Sequence, residues 1–196
     1  MKNFWRNLNS ILFDETPNLD IKTNPFISQR FGLPIYAGAR TSPELLKLVL
    51  RAKEDNDLLA RRFLANLIID AITLIKEREI LVIPIPSRAQ ANRQRGINHL
   101  NLLVKEVSLK HKIEVRNLLQ HTKQVLDQTK LSARERLENM TGAFEVRNHI
   151  FTSSAFLIDD LVTSGATVRA ANEALKVRNI QVLGVITACA SAQISE

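Results

Sequence analysis

Cysteine is nearly absent from this chain. Cys189 is the sole one, which excludes a disulfide framework and a cysteine-built zinc site. It lies in an apolar run and reads as an inert buried thiol. Stacking aromatics are equally scarce, with one tryptophan and one tyrosine, poor material for a base-stacking surface. None of the six glycines precedes a lysine, so the phosphate loop of P-loop nucleotidases is excluded. No apolar run approaches the roughly eighteen residues of a membrane span, and the N-terminus carries no apolar signal core. The expectation is a soluble, cytoplasmic chain without membrane insertion.

What is present is ordinary in amount and specific in arrangement. The 196 residues are 45% hydrophobic, enough for one domain with a core that needs no crosslinks. Formal charge is +7, which favours polyanions, whether diphosphates or nucleic acid, without choosing between them. Residues 1–35 lack sustained periodicity and read as a loose lead-in, with a short helix near Phe4 to Phe13; the domain proper begins at 36. Ser42 and Pro43 suit the start of one helix, and Asp57 opens a second, running to about Lys76. Strand patterns fall at Ile80–Ile83, Ile113–Leu119, Ala155–Ile158 and Ile180–Cys189, with helices over about Ile97–Leu109 and Ala166–Arg178. Such alternation predicts an α/β fold with a mostly parallel central sheet and helices on both faces.

The densest chemistry follows the run Ala155-Phe156-Leu157-Ile158, which ends in Asp159 and Asp160. Two residues later comes Thr163-Ser164-Gly165-Ala166-Thr167, the start of the alanine-rich helix. Open α/β sheets take ligands at the carboxyl ends of their strands, where these acids stand. Free N–H groups at a helix start, aided by hydroxyls, make a phosphate cradle. This stretch resembles the phosphoribosyl diphosphate (PRPP) signature of type I phosphoribosyltransferases. The resemblance implies that Asp159 and Asp160 hold the ribose hydroxyls, directly or through Mg²⁺, and that Thr163, Ser164, Gly165, Ala166 and Thr167 wrap the 5′-phosphate.

A second element follows Ile83-Pro84-Ile85. Pro86-Ser87-Arg88 leaves the strand, and Arg88, Arg93 and Arg95 follow with no acid among them. Guanidinium forks match phosphate oxygens bidentately. In type I phosphoribosyltransferases this is the place of the diphosphate loop, which implies that role for Pro86, Ser87 and Arg88. His99, at the next helix start, is within reach of such a site. Gln120–Ala143 is long, polar and poor in glycine; it reads as a mobile lid with Lys123 and Lys130 as candidate lid cations, and Ser132–Glu135 has capping-box spacing.

Taken in order, three segments narrow the resemblance: Pro84–Arg88 with Arg93–His99, then Asp127–Phe144, then the acidic signature. Together they resemble the ComF family (competence protein F), phosphoribosyltransferase-like proteins tied to natural transformation, over about residues 36–190. Many members begin with a four-cysteine zinc module, and residues 1–35 hold no cysteine. The resemblance implies a type I phosphoribosyltransferase fold with a lid, over residues 36–196. It further implies Mg²⁺-dependent transfer of phosphoribosyl from PRPP to a nitrogenous acceptor. The alternative is a non-enzymatic factor that senses PRPP or binds single-stranded DNA or competence proteins through the same fold.

Overall fold

A computed structural model describes residues 23–86, 98–122, 142–147 and 153–191. Its centre is a six-stranded sheet in the order β1-β2-β8-β7-β3-β4. The strands are β1 (Phe26–Arg30), β2 (Leu33–Arg40), β3 (Leu81–Pro84), β4 (Glu114–Val115), β7 (Ser154–Val162) and β8 (Gln181–Ala190). Only β1 runs antiparallel, paired to β2; every other pairing is parallel. A separate two-stranded ribbon pairs β5 (Leu119–His121) with β6 (Phe144–Val146).

Four helices cover the sheet: α1 (Pro43–Glu54), α2 (Leu58–Ile72), α3 (His99–Lys110) and α4 (Ala166–Lys176). On one face α1, α2 and α3 bury Leu45, Leu64, Ile68 and Leu103 against Phe156 and Ile186. On the other, α4 and the β5–β6 ribbon bury Leu175, Ala171 and Phe144 against Leu157 and Val185. Strand residues alternate between these cores because successive side chains point to opposite faces. The expected mostly parallel sheet with helices on both faces is what forms. No helix among the described residues is long and apolar enough to cross a membrane.

Local signals set most boundaries. Ser42 caps α1, its Oγ accepting from the Leu45 N–H at 3.2 Å, with Pro43 in the first turn. Asp57 caps α2, its carboxylate accepting from the Leu59 and Ala60 N–H groups at 2.9 and 3.0 Å. That helix ends at Ile72 rather than Lys76: Leu74 and Ile75 continue the apolar pattern, but their N–H groups bond Ala71 and Ile72 in tight turns.

Two expectations are corrected. The described part of the 1–35 lead-in is not loose, because Phe26–Arg30 and Leu33–Arg40 form a hairpin that extends the sheet past residue 35. The anticipated strand Ile113–Leu119 is split: Glu114–Val115 joins the sheet, whereas Leu119–His121 leaves it for the ribbon. The insertion read as a lid over Gln120–Ala143, with its helix start at Ser132–Glu135, lies mostly outside the described residues; the β5–β6 ribbon pairs the residues that flank it. The helix expected near Phe4–Phe13, and Lys123 and Lys130 of the anticipated lid, lie outside the described residues.

Candidate functional site

β7 carries the acids inside the strand, not beyond its end. It continues through Asp159 and Asp160 to Val162, pairing Asp159 with Thr187 and Val162 with Ala190 on β8. The two carboxylates lie close enough for each to act on the other. Asp160 is buried towards α1 and α3, with 5% of its surface exposed, whereas Asp159 is half-buried. The acids are therefore neighbours in sequence but occupy different surroundings.

Asp160 meets two basic side chains. Its Oδ2 lies 3.6 Å from Lys53 Nζ, in the last turn of α1, and 3.4 Å from His99 Nε2, in the first turn of α3. Burial acts to raise its pKa, but the Lys53 charge and the His99 contact outweigh burial and hold the carboxyl well below the usual range. Asp159 goes the other way: burial, then the charge of Asp160, push its carboxyl well up. Asp159 Oδ1 accepts from the backbone N–H of Asp160 at 2.9 Å, which fixes that side chain against its own strand. Burial, and then the acids' charge, push the neighbouring Cys189 thiol up to about 12, so it is unreactive at neutral pH.

The turn after β7 is built for a close approach. Gly165 precedes α4 with φ +72°, a left-handed conformation that favours glycine, and no side chain caps the helix start. A Cβ at Gly165 would overlap the Phe31 ring, so a larger residue there must displace that ring. Thr163 is exposed, Ser164 and Thr167 are half-buried, and Gly165 and Ala166 are buried. The Thr163 carbonyl accepts from Arg30 Nη1 and from Ser191 Oγ, both at 3.3 Å, which holds the turn from its far side. The uncapped N–H groups of α4 and the hydroxyls of Ser164 and Thr167 belong to one short segment next to the acids.

Pro86 comes to the same edge. Pro84 pairs with Ile158, and the Ile85 N–H donates to the Ile158 carbonyl at 3.1 Å, which places Pro86 beside the acidic end of β7. The ribbon is tied here too: His121 Nε2–H donates to the Pro86 carbonyl at 3.0 Å, since a carbonyl can only accept. Ser87 and Arg88, with Arg93 and Arg95, lie outside the described residues.

Two members of this constellation carried little or no signal in the sequence. Lys53 looks like one more cation in the last turn of an amphipathic helix, and nothing local links it to an acid over a hundred positions on. His121 sits among polar residues with no motif around it. His99 was within expected reach, and the structure places it against Asp160 rather than open at the edge.

Among the described residues no cluster of three or more histidine, cysteine or acidic side chains could hold a metal alone. Two adjacent carboxylates fit Mg²⁺ in a different way, because that ion keeps waters and is completed by phosphate oxygens of a ligand.

No protein-family model matches this sequence. A curated relative, competence protein F of Haemophilus influenzae, is 29% identical over 153 residues, covering 72% of this chain and 67% of that protein. Among solved structures, adenine phosphoribosyl transferase from Trypanosoma brucei, in complex with AMP, pyrophosphate and ribose-5-phosphate, matches with a TM-score of 0.47 and 10% identity. That match covers 80% of this chain and 71% of the other. A hypoxanthine phosphoribosyltransferase from Staphylococcus aureus matches with a TM-score of 0.36 and 12% identity over 69% of this chain and 67% of its own. In sequence, then, the chain that carries this acidic strand end and glycine turn is similar to a competence protein F.

Proposed function

We propose that this protein binds PRPP at the carboxyl edge of its sheet and transfers the phosphoribosyl group to a nitrogenous acceptor, releasing diphosphate. The observation that carries this reading is the succession within β7 and α4: a carboxylate pair, then an uncapped helix start opened by a left-handed glycine. Acids suit sugar hydroxyls and oriented amides suit phosphate, and here the two lie a few residues apart.

Each residue then has a task. Asp159, the more exposed of the two acids, takes the ribose hydroxyls, and Asp160 completes the acidic end. Thr163 to Thr167 enclose the 5′-phosphate, and the segment beginning Pro86-Ser87-Arg88 takes the diphosphate. In the transfer the C1–oxygen bond to diphosphate breaks, a C1–nitrogen bond forms, and the acceptor's proton leaves to solvent. Asp159 and Asp160 would hold Mg²⁺, whose charge would offset that of the departing diphosphate. Lys123 and Lys130 are proposed to close over the anion from the 120–143 insertion. We place the protein in the cytoplasm, in a role linked to DNA uptake.

One observation favours the non-enzymatic alternative, a PRPP sensor or single-stranded-DNA binder. His99, which among the described histidines meets the acids, is buried against Asp160 with little surface open to an acceptor. Calorimetry with PRPP and Mg²⁺, followed by a diphosphate-release assay over a panel of nitrogen bases, decides between the two. Binding with turnover supports the transferase; binding without turnover for any base supports the sensor. Absence of PRPP binding removes both, and salt-sensitive DNA binding would then stand alone.

A further inference from the structure

Resting on the PRPP reading, we infer that Lys53 is a further ligand-binding residue, a cation held at the diphosphate end by Asp160. The geometry is that of a buried anchor under a partly open cation. Asp160 Oδ2 lies 3.6 Å from Lys53 Nζ, and the two side chains are 7% and 34% exposed. The same oxygen lies 3.4 Å from His99 Nε2, whose side chain is 4% exposed, so the carboxylate and the histidine form the closed floor and Lys53 the open part.

Position selects the end of the ligand. Asp160 faces the side of the sheet covered by α1 and α3, while α4 and its uncapped start lie with the other core. A pentose whose 5′-phosphate sits at the α4 turn directs its opposite, C1 end away from that turn. Pro86, the start of the proposed diphosphate segment, stands beside the same acids on β3. Lys53 thus belongs to the edge of the site remote from the 5′-phosphate. A compact ammonium on a flexible stem suits a diphosphate, whose charge is spread over many oxygens. Nothing in the local sequence marks this role, because α1 reads as a surface helix and the contact joins residues over a hundred positions apart.

The test compares wild type, Lys53→Met and Lys53→Arg by calorimetry against three ligands with Mg²⁺: PRPP, inorganic diphosphate and ribose 5-phosphate. A lost charge-assisted contact corresponds to roughly ten- to a hundredfold in affinity. Lys53→Met is expected to lose that factor for PRPP and for diphosphate while staying within about twofold for ribose 5-phosphate. Lys53→Arg, which keeps the charge, is expected to recover most of the loss. Unchanged diphosphate affinity in Lys53→Met overturns the inference. So does an equal loss for all three ligands, which marks Lys53 as an ion pair supporting the fold. If Lys53→Met melts far below wild type, Lys53→Gln, still able to donate to Asp160, is measured in its place under the same criteria. The two readings fail separately. Wild type that binds PRPP with no dependence on Lys53 sinks this inference alone; wild type that binds diphosphate through Lys53 but not PRPP sinks the PRPP reading alone. Binding of none of the three sinks both.

Discussion

Asp159 and Asp160 are adjacent in the chain and unequal in chemistry. Asp160 is held ionised by Lys53 and His99 despite its burial, whereas burial and its neighbour's charge push Asp159 up. Replacing Asp159 with asparagine is expected to weaken PRPP about ten- to a hundredfold in calorimetry, the scale of one or two charge-assisted contacts. A loss below twofold would remove Asp159 from the ribose site. Gly165→Ala tests the turn. With φ +72° and the Phe31 ring in the path of a Cβ, it should lower stability by more than about 1 kcal/mol in denaturant titration and weaken PRPP as well. A neutral result would mean the turn does not need its left-handed residue.

At the level of elements, the site depends on helices that bear few of its residues. α2 lies directly under β2: a Cβ on Gly38 would come within 2.1 Å of the Leu67 carbonyl oxygen. Because that atom belongs to the helix backbone, Gly38→Ala must move α2 and should cost about 1–3 kcal/mol. Equal denaturation midpoints for variant and parent would contradict so close a packing. The start of α2 adds a pH signature. The Ala60 N–H bond, opposed by burial and helped by Arg51, lowers the pKa of Asp57 in the folded protein. Its folded value therefore lies below its unfolded one. The cap's contribution is complete above the ordinary carboxylate range and is lost as pH falls through the folded value. Asp57→Ala should remove about 1 kcal/mol near neutrality and show a smaller deficit in strong acid; a deficit independent of pH would contradict the charged cap.

For the whole molecule, ligand binding and stability are linked. PRPP with Mg²⁺ at a hundred times its dissociation constant should add about 2.7 kcal/mol and raise the melting temperature, and chelation of the metal should reverse the rise. A melt indifferent to PRPP would remove the proposed ligand. Much of this architecture was legible in the chain itself. Short apolar runs, the Ser42 and Asp57 caps and the Asp-Asp-x-x-Thr-Ser-Gly turn are local patterns, and local backbone physics reads them directly. The β1–β2 hairpin was hidden because its turn, Phe31-Gly32, puts a phenylalanine at φ +56° where asparagine or glycine would announce a hairpin. Two-residue β4 and three-residue β5 and β6 were too short for periodicity to register. Sequence alone determined that an acidic strand end and a glycine turn follow one another, because they are contiguous. Only tertiary structure decided that Lys53 and His99 share one buried oxygen of Asp160, and that His121 holds the Pro86 carbonyl. Those contacts join separate elements through side chains, and their geometry exists only once the sheet and helices have packed.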